Sequence, residues 1–401
     1  MEWKKYSIED NYLSLTGVLA LFLFFASFYF QSLILFFTAV TILILIFANS
    51  YYLKHIGEHL HFDNDSQKNR FFPEEKGEWM LLFVNKGLPI MKGSLRIYFD
   101  DIITPMDGLG EKRLTQYEVN IPLSLSYNQQ KTVKLPFTAR KRGVAKIRKM
   151  EWHIPHFFGI GETVLEYKRL IIQEALVYPL PIPVENMSSF LSERSGETFV
   201  SHSLYEDYLS PSGTRDYVYS DSFNRINWKA SARMQTFQTK VFDLVAETGW
   251  NLSINIADSH AITNQIEQLI SSAAELAYFS TKQNIPFSVC INIRVAGAIP
   301  FYYIPAGTGK EQLQRVLEAL AIVDQHSSIF PYEKMLSFYD RHLSAQPFFI
   351  HGGKSTARSE EILNMISKRG ATLLELQLNE NKAVLKPKQS LMKGVMVHDK
   401  K

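Results

Sequence analysis

The stretch that decides the fold runs from residue 12 to residue 53 and reads YLSLTGVLALFLFFASFYFQSLILFFTAVTILILIFANSYYL. It contains no charged residue and is dominated by Leu, Phe, Ile, Ala and Val. As one helix it would be roughly 60 Å long at about 1.5 Å per residue, whereas the hydrocarbon core of a bilayer is about 30 Å thick. Because backbone groups in lipid must be hydrogen-bonded within the segment, both halves should be helical. We therefore predict a transmembrane hairpin within residues 1–60, with helices over 13–30 and 33–53 and a turn at Gln31-Ser32.

A cleavable signal peptide is the alternative interpretation of this stretch. Its apolar region would span about 7–15 residues and end at small residues, but the apolar run here continues far past that length. Lys4 and Lys5 precede the first helix and Lys54 follows the second, while the turn carries no charge. The positive-inside rule therefore predicts a multi-pass protein of the cell membrane whose soluble domains are cytoplasmic.

Composition sets broader limits on the protein's class. At 401 residues the chain is long enough for two soluble domains in addition to the membrane segment. Lys and Arg number 43 against 40 Asp and Glu, so a formal charge of +3 gives no argument for a nucleic-acid partner. The single cysteine, Cys290, excludes an intrachain disulfide and agrees with a reducing compartment.

Residues 61–180 have the pattern of an antiparallel β-sandwich. Short β-rich runs alternate with turn formers such as Asn85-Lys86-Gly87, Asp107-Gly108 and Asn128. No helical period interrupts them, which favours a small sandwich. The predicted strands cover residues 78–84, 94–99, 117–121 and 132–137.

The remaining chain divides into three segments. Residues 181–250 begin with prolines and serines, which indicates a linker or an irregular excursion, and continue into an unusual charged segment. Residues 251–378 alternate strands with amphipathic helices, which indicates an α/β domain with a parallel sheet. Its predicted strands are 251–257, 287–293, 347–350 and 372–376, and its predicted helices are 263–283, 310–323 and 358–368. Residues 379–401 are basic and lack periodicity, so we expect a mobile tail.

The charged segment reads GTRDYVYSDSFNRINWKASAR over residues 213–233. It resembles the signature of domain-of-unknown-function family 58, bacterial membrane proteins often encoded beside MoxR-type AAA+ ATPases. Ser220 stands where the family usually has glycine. The matching positions are Arg215, Tyr217, Asp221, Ile226, Trp228, Lys229, Ser231, Ala232 and Arg233. Smaller marks are Asn85-Lys86-Gly87, Lys141-Arg142-Gly143, Pro155-His156-Phe157-Phe158-Gly159 and Val177-Tyr178-Pro179.

The resemblance implies a sandwich followed by a domain similar to the von Willebrand factor A fold, which is Rossmann-like. Such domains often bind a divalent cation after their first strand through an Asp-x-Ser-x-Ser loop, whose oxygens suit a hard ion. Here the loop reads Asn255-Ile256-Ala257-Asp258-Ser259-His260, and neither register supplies the full ligand set. We therefore expect no metal or other cofactor, with Asn255, Asp258 and Ser259 as a degenerate candidate set. An ordinary turn capped by Asp258 or Ser259 explains the loop better.

Two interpretations of the signature stay open. Lys229 and Arg233 lie four residues apart on a predicted short helix, so they share one face. With Arg215 and Trp228 they suit a docking surface in which Arg meets carboxylates and Trp is the anchor. Alternatively, Arg215 and Asp221 belong to an internal network that holds the loop against the sheet, which would fix one geometry without adding much stability.

Three other features are weaker candidates. His55, His59 and His61 follow the second helix at a spacing that zinc could use, but a polar face beside the membrane explains them as well. Cys290 lies within a predicted strand and is expected in the core. Ala306-Gly307-Thr308-Gly309-Lys310 lacks the spacing of a phosphate-binding loop, so we interpret it as a turn before a helix.

These inferences favour a membrane-anchored scaffold or adaptor that is not an enzyme. The resemblance suggests that its α/β domain binds a MoxR-type AAA+ ATPase, with neighbouring membrane proteins as further partners. The alternative is an enzyme or a metal-dependent binding module acting in cell-envelope biology, with the charged signature as its site.

Overall fold

The computed structural model describes residues 2–8, 12–65, 68–106, 108, 110–155, 161–191, 206–219, 221–244, 249–259, 261–324, 326–343, 346–379 and 382–388. The chain forms two compact units, Met1–Pro179 and Leu180–Lys401. Residues 156–159 of the family mark, residues 192–203 of the serine-rich linker, Ser220, His260 and residues 389–401 of the basic tail lie outside the described residues.

The first unit contains two helices and twelve strands among the described residues. They are β1 Trp3–Ile8, α1 Tyr12–Tyr29, α2 Leu33–His55, β2 Leu60–Asp63, β3 Lys68–Phe71, β4 Lys76–Asn85, β5 Ser94–Asp100, β6 Ile103–Pro105, β7 Gly110–Arg113, β8 Gln116–Pro122, β9 Gln129–Ala139, β10 Gly143–Pro155, β11 Glu162–Tyr167 and β12 Glu174–Val177. The four strands predicted here from sequence appear as β4, β5, β8 and β9.

Two sheets share one hydrophobic core. The larger has the order β1-β11-β10-β5-β8-β7 with β12 and β3 attached through β10, and the smaller has the order β2-β4-β9-β6. The pairs are antiparallel except that β12 and β3 are parallel. Side chains alternate along β5, so that Leu95, Ile97 and Phe99 are buried while their neighbours are half-buried. Trp79, Trp152 and other large side chains fill the space between the sheets.

The apolar segment forms α1 and α2, whose bounds agree with the sequence prediction to within two residues. The helices pack against each other beside their connecting turn, where the Phe24 and Phe36 rings lie 5.6 Å apart. Their outer surfaces are apolar and exposed. Among the described residues, Leu33–His55 is the one helix both long and apolar enough to span a bilayer, and Leu15–Tyr29 is a shorter apolar helix.

Both ends of this helical segment continue into strands of the sandwich, β1 before α1 and β2 after α2. Before α1, β1 pairs with β11, and Trp3 is buried against Phe83, Trp152 and Tyr167. After α2, β2 pairs with β4. The Lys5 ammonium donates to the carbonyls of Leu53 and Lys54 at 2.9 and 2.7 Å, so β1 also caps the end of α2.

The second unit is an α/β region preceded by a hairpin. Its elements are β13 Val184–Glu185, α3 Met187–Leu191, β14 Glu206–Asp216, α4 Trp228–Met234, β15 Gln238–Leu244, β16 Trp250–Ile254, β17 Ala257–Asp258, β18 Ala261–Ile262, α5 Ile266–Gln283, β19 Phe287–Arg294, β20 Phe301–Gly307, α6 Gly309–Ile322, α7 Tyr332–His342, β21 Phe348–Gly352, α8 Ala357–Lys368, β22 Thr372–Leu378 and β23 Ala383–Pro387. The sheet order is β13-β23-β22-β21-β16-β19-β20.

The four strands predicted for this region form the parallel centre of the sheet, namely β22, β21, β16 and β19. The sequence analysis missed antiparallel β20, helix α7 and strand β23. The expectation of a mobile tail from residue 379 is wrong for β23, which pairs with β22 and buries Ala383 and Leu385. The segment treated as a linker also contains defined elements, including β13, which pairs with β23.

Candidate functional site

The family signature folds as a hairpin of its own, which we call the signature hairpin (residues 206–244). Strands β14 and β15 pair antiparallel, with Arg215 opposite Thr239 and Asp216 opposite Gln238. Between them the chain makes a short 3-10 turn, Phe223–Arg225, and then α4. The Asn227 side chain begins α4 by accepting a hydrogen bond from the Ala230 amide at 3.2 Å. Gln235, with φ +56°, ends it.

Asp221 fixes the first turn of this hairpin. One carboxylate oxygen accepts from Arg215 Nη2 at 2.6 Å, and the other accepts from the Val218 amide and the Thr239 hydroxyl, both at 3.0 Å. The hydrogen bond from the Arg215 guanidinium, together with that from the Val218 amide, lowers the pKa of Asp221 to about 2. Asp221 is therefore ionised at neutral pH and ties the loop to both strands.

A second set of hydrogen bonds holds α4 against β15. The Ser231 hydroxyl donates to the Asn227 carbonyl at 2.8 Å and accepts from the Gln238 amide at 2.9 Å. The Gln238 side chain donates to Asp216 at 2.6 Å, and the Asn227 amide donates to the Gln238 carbonyl at 2.7 Å. Ile226, Ser231, Gln238 and Thr239 are the buried residues beneath this network. The position of α4 is thus set by contacts inside the hairpin.

The outer side of the hairpin presents an exposed aromatic cluster. Trp228 lies edge to face with Phe223 at 5.5 Å and with Phe237 at 6.2 Å. These side chains are 56%, 68% and 56% exposed, respectively. Tyr217 is half-buried at the edge of the cluster, with its ring 6.2 Å from that of Phe237.

Two exposed cations adjoin the aromatic rings. Lys229 and Arg233 lie on α4, and within the described residues neither makes an ion pair or side-chain hydrogen bond. We define the signature face as Phe223, Trp228, Lys229, Arg233 and Phe237. Both carboxylates of the neighbouring loop already have partners, because Asp221 pairs with Arg215 and Asp216 accepts from Gln238. Among the residues whose side chains are described, no carboxylate of the hairpin therefore neutralises Lys229 or Arg233.

The two interpretations of the signature, an internal network and an exposed docking surface, thus concern different residues. Arg215 and Asp221 form the internal network, although this network joins β14 to β15 rather than to the large sheet. Trp228, Lys229 and Arg233 face solvent. The sequence analysis missed Phe223 and Phe237, although their positions on either side of Trp228 in an otherwise polar segment gave a signal. Rigid aromatic side chains beside cations are typical of energetically important positions in protein interfaces.

The degenerate metal candidates lie after β16, where they make other contacts. The Asn255 side-chain oxygen accepts from Asn292 Nδ2 at 2.7 Å and from the Ala257 amide at 3.0 Å, and its nitrogen donates to the Lys354 carbonyl at 2.6 Å. Asp258 pairs with the Lys354 ammonium at 2.6 Å. Ser259 has φ +58°, a left-handed turn position. The Asn255 side-chain oxygen and the Asp258 carboxylate are thus engaged by other partners, and the described residues include no group of three His, Cys, Asp or Glu suited to a metal.

A chain of polar groups inside the α/β sheet is closed to solvent. The Tyr332 hydroxyl lies 2.9 Å from Ser253 Oγ and 2.6 Å from His351 Nδ1, and all three residues are buried. Burial, together with the Lys388 charge, lowers the pKa of His351 to about 3. Cys290 is also buried, which raises the pKa of its thiol. A hydroxyl or thiol in this position cannot meet a substrate without opening of the sheet.

The remaining candidates are separate. His55 stacks on Tyr51 at a ring distance of 4.3 Å, His61 lies 3.7 Å from Glu2, and His59 is exposed. Residues 306–310 connect β20 to α6, where Gly309 has φ +79°.

Residues 213–374 match the sequence model of the family described as protein of unknown function DUF58. The match begins in β14 and extends into β22, so the resemblance suggested by the signature is confirmed over this range. No curated protein gives a significant match.

Two solved structures are distantly similar to part of this chain. The CARDB domain of a Pyrococcus furiosus protein is 11% identical and covers 29% of this chain and 89% of that domain, with a TM-score of 0.18. A non-cellulosomal cohesin from Archaeoglobus fulgidus is 10% identical and covers 27% and 85%, also with a TM-score of 0.18. Scores this low carry no argument about function.

Proposed function

We propose that the protein is a membrane-anchored, non-enzymatic scaffold whose signature face binds a partner protein. The observation that carries this proposal is the exposed cluster of Phe223, Trp228 and Phe237 beside Lys229 and Arg233, which make no ion pair with any described residue. Keeping these rings in water is unfavourable by roughly 25 cal/mol per Å² of apolar surface. A second protein surface that covers them would recover that free energy.

The hydrogen bonds beneath the signature face favour binding rather than packing inside the chain. Asp221 holds the loop and Ser231 holds α4, so the backbone that carries Trp228 is already ordered before a partner arrives. An ordered segment loses little backbone entropy on association, which raises affinity. The exposed cations favour a partner whose contact surface carries carboxylates around an apolar pocket.

A MoxR-type AAA+ ATPase is the leading candidate for this partner. The family resemblance, rather than a residue pattern in this chain, suggests it. We interpret the α/β region as von Willebrand factor A-like, which agrees with β16, the first strand of the parallel centre of the sheet, lying between β21 and β19. Neighbouring membrane proteins are further candidates.

We also propose that α1 and α2 both cross the membrane and that the soluble units are cytoplasmic. Support comes from the attachment of β1 and β2 to one sandwich, because the two ends of the helical segment must then lie on the same side of the bilayer. That requirement allows only an even number of crossings. Lys4, Lys5 and Lys54 favour the cytoplasmic side for these ends.

Site-specific photocrosslinking of the full chain in its native membrane tests the proposed partner. A photoreactive phenylalanine analogue replaces Phe237 on the signature face, and the control replaces Met365, which is 53% exposed on α8. We expect a crosslink to the ATPase from position 237 alone. Equal crosslinking from both positions, or no ATPase product from position 237, would contradict the proposal.

A further inference from the structure

One end of the sandwich has the composition of a membrane-contacting surface. It consists of two loops, residues 86–93 between β4 and β5 and residues 123–128 between β8 and β9, which we call the proximal loops. Within them Met91 is 64% exposed and Tyr127 is 72% exposed, and Lys86 and Lys92 are exposed as well. Neither loop belongs to the signature face.

Hydrogen bonds join the two proximal loops into one rigid surface. The Asn85 side chain is fully buried and donates to the carbonyls of Leu88 and Ser126 at 2.9 and 3.3 Å. Ile90 and Leu125 exchange backbone hydrogen bonds of 2.7 and 2.9 Å. Met91 and Tyr127 are therefore held on a defined framework.

The same surface is attached to the end of α2. The Tyr52 hydroxyl donates to the Pro89 carbonyl at 2.8 Å, and the Lys86 amide donates to the His59 carbonyl at 3.0 Å. Tyr52 lies three residues before the end of α2, or about 5 Å along the helix axis. The proximal loops consequently lie at the depth where the helix leaves the hydrocarbon core.

We propose that the proximal loops are a lipid-binding surface, with Met91 and Tyr127 in the interfacial layer and Lys86, Lys92 and Lys54 contacting the phosphates of anionic lipid headgroups. Tyrosine is enriched at this depth because its ring is apolar and its hydroxyl is polar. Each lysine near an anionic bilayer surface raises the affinity of the protein for that surface a few-fold. The inference rests on the proposed membrane anchorage and extends it from the helices to the sandwich.

Fluorophore labelling of the full chain in vesicles tests this proposal. Cys290 is 1% exposed, so an introduced surface cysteine can be labelled selectively. The three labelled variants are Met91→Cys in a proximal loop, Phe47→Cys on the outer surface of α2, and Leu114→Cys. Leu114 lies in the β7–β8 turn at the other end of β5, because Asp100 pairs with Gln116 while Ser94 pairs with Pro122. The two ends of β5 are roughly 20 Å apart.

Quenchers placed on the lipid headgroups and on the acyl chains distinguish the outcomes. We expect acyl-chain quenching at position 47, headgroup quenching at position 91, and no quenching at position 114. Quenching at position 47 with positions 91 and 114 equally unquenched would overturn the lipid-binding surface and leave the anchor standing. No quenching at position 47 would overturn both.

Lipid charge is tested with the Met91→Cys label in two vesicle compositions. We expect stronger headgroup quenching in an equal mixture of phosphatidylglycerol and phosphatidylcholine than in phosphatidylcholine alone. The triple substitution Lys54→Ala, Lys86→Ala and Lys92→Ala should remove this difference, whereas Lys112→Ala, in β7 beside the Leu114 turn, should retain it. A difference that survives the triple substitution would refute the role assigned to the lysines.

Discussion

In the sandwich, Phe83 and Trp152 lie edge to face at 5.5 Å and are fully buried, whereas in the signature hairpin Phe223 and Trp228 meet at the same 5.5 Å with most of their surface exposed. The ring geometry contributes about 0.5–1.5 kcal/mol beyond burial in either place. Only the sandwich pair adds the hydrophobic free energy of burial. The comparison indicates that the first pair stabilises the fold, whereas the second leaves apolar surface exposed, which is the surface that our proposal assigns to a partner.

The largest effect should come from Phe83→Ala, which removes the ring between Trp3, Phe62 and Trp152. A cavity of this kind lowers the free energy of unfolding by about 3–5 kcal/mol. Denaturant unfolding of the detergent-solubilised full chain, followed by tryptophan fluorescence, measures the loss. A decrease in the free energy of unfolding of less than about 1 kcal/mol would contradict the claim that the buried aromatic cluster of the sandwich stabilises the fold.

Acid should weaken the α/β region through His351. Its pKa is about 3 when folded and ordinarily 6.5, so between these values the unfolded chain binds a proton that the folded chain does not. Above pH 6.5 His351 is neutral in both states and does not reduce the free energy of unfolding. Below that pH the free energy of unfolding falls by about 1.4 kcal/mol per pH unit as the pH decreases toward 3. Hydrogen exchange of β16 and β21 across this range should show the slope, and His351→Asn should reduce it. An unchanged slope in the variant would mean that other groups cause the acid sensitivity.

Asp221→Ala should loosen the signature hairpin without affecting the sandwich. The change removes the acceptor for the Val218 amide and the partner of Arg215. Exchange of the Val218 amide should accelerate on the order of tenfold, as expected for loss of a charge-assisted hydrogen bond. In the unsubstituted protein the same acceleration should appear only as the pH falls through about 2, because the pKa of Asp221 is lowered to that value. Equal acceleration in β4 would point to global unfolding instead.

The smallest effect should come from Asp258→Asn. The Asp258–Lys354 pair is well exposed, with side-chain exposures of 38% and 65%, so solvent screening limits its contribution to below about 1 kcal/mol. Because the Lys354 ammonium already pairs with the Asp258 carboxylate, millimolar Mg²⁺, Mn²⁺ or Ca²⁺ should leave the melting temperature unchanged in the unsubstituted protein and in the variant. Stabilisation by any of these ions that disappears in the variant would restore the metal hypothesis.

Much of the fold followed from local sequence patterns. The charge-free run gave both helix bounds, and alternation gave the central strands of both units, because these signals depend on neighbouring residues. Strand β1 was not predicted because Lys4 and Lys5 are typical of the charged flank of a membrane helix. Its partner strand, β11, lies more than 150 residues later in the sequence, so no local pattern indicated the pairing. By contrast, α7 had a visible period at Tyr332, Met335, Leu336 and Tyr339, all of which are buried.

The site was only partly predictable for a related reason. The density of Arg215, Asp221, Trp228 and Arg233 marked the signature, but sequence could not separate internal contacts from exposed ones. That separation depends on the pairing of β14 with β15, which brings Thr239 to Asp221. The contact of Asp258 with Lys354 likewise joins the ends of two strands far apart in sequence, so no local pattern revealed it.

The most direct test of the central claim compares Trp228→Ala with Met365→Ala in the full chain, measuring thermal stability and ATPase capture from native membranes together. If Trp228 is held for a partner, its loss should reduce capture at least about tenfold while the melting temperature changes little. Met365→Ala should alter neither quantity. A Trp228→Ala protein that captures the ATPase normally, or that melts like a core variant, would contradict the account.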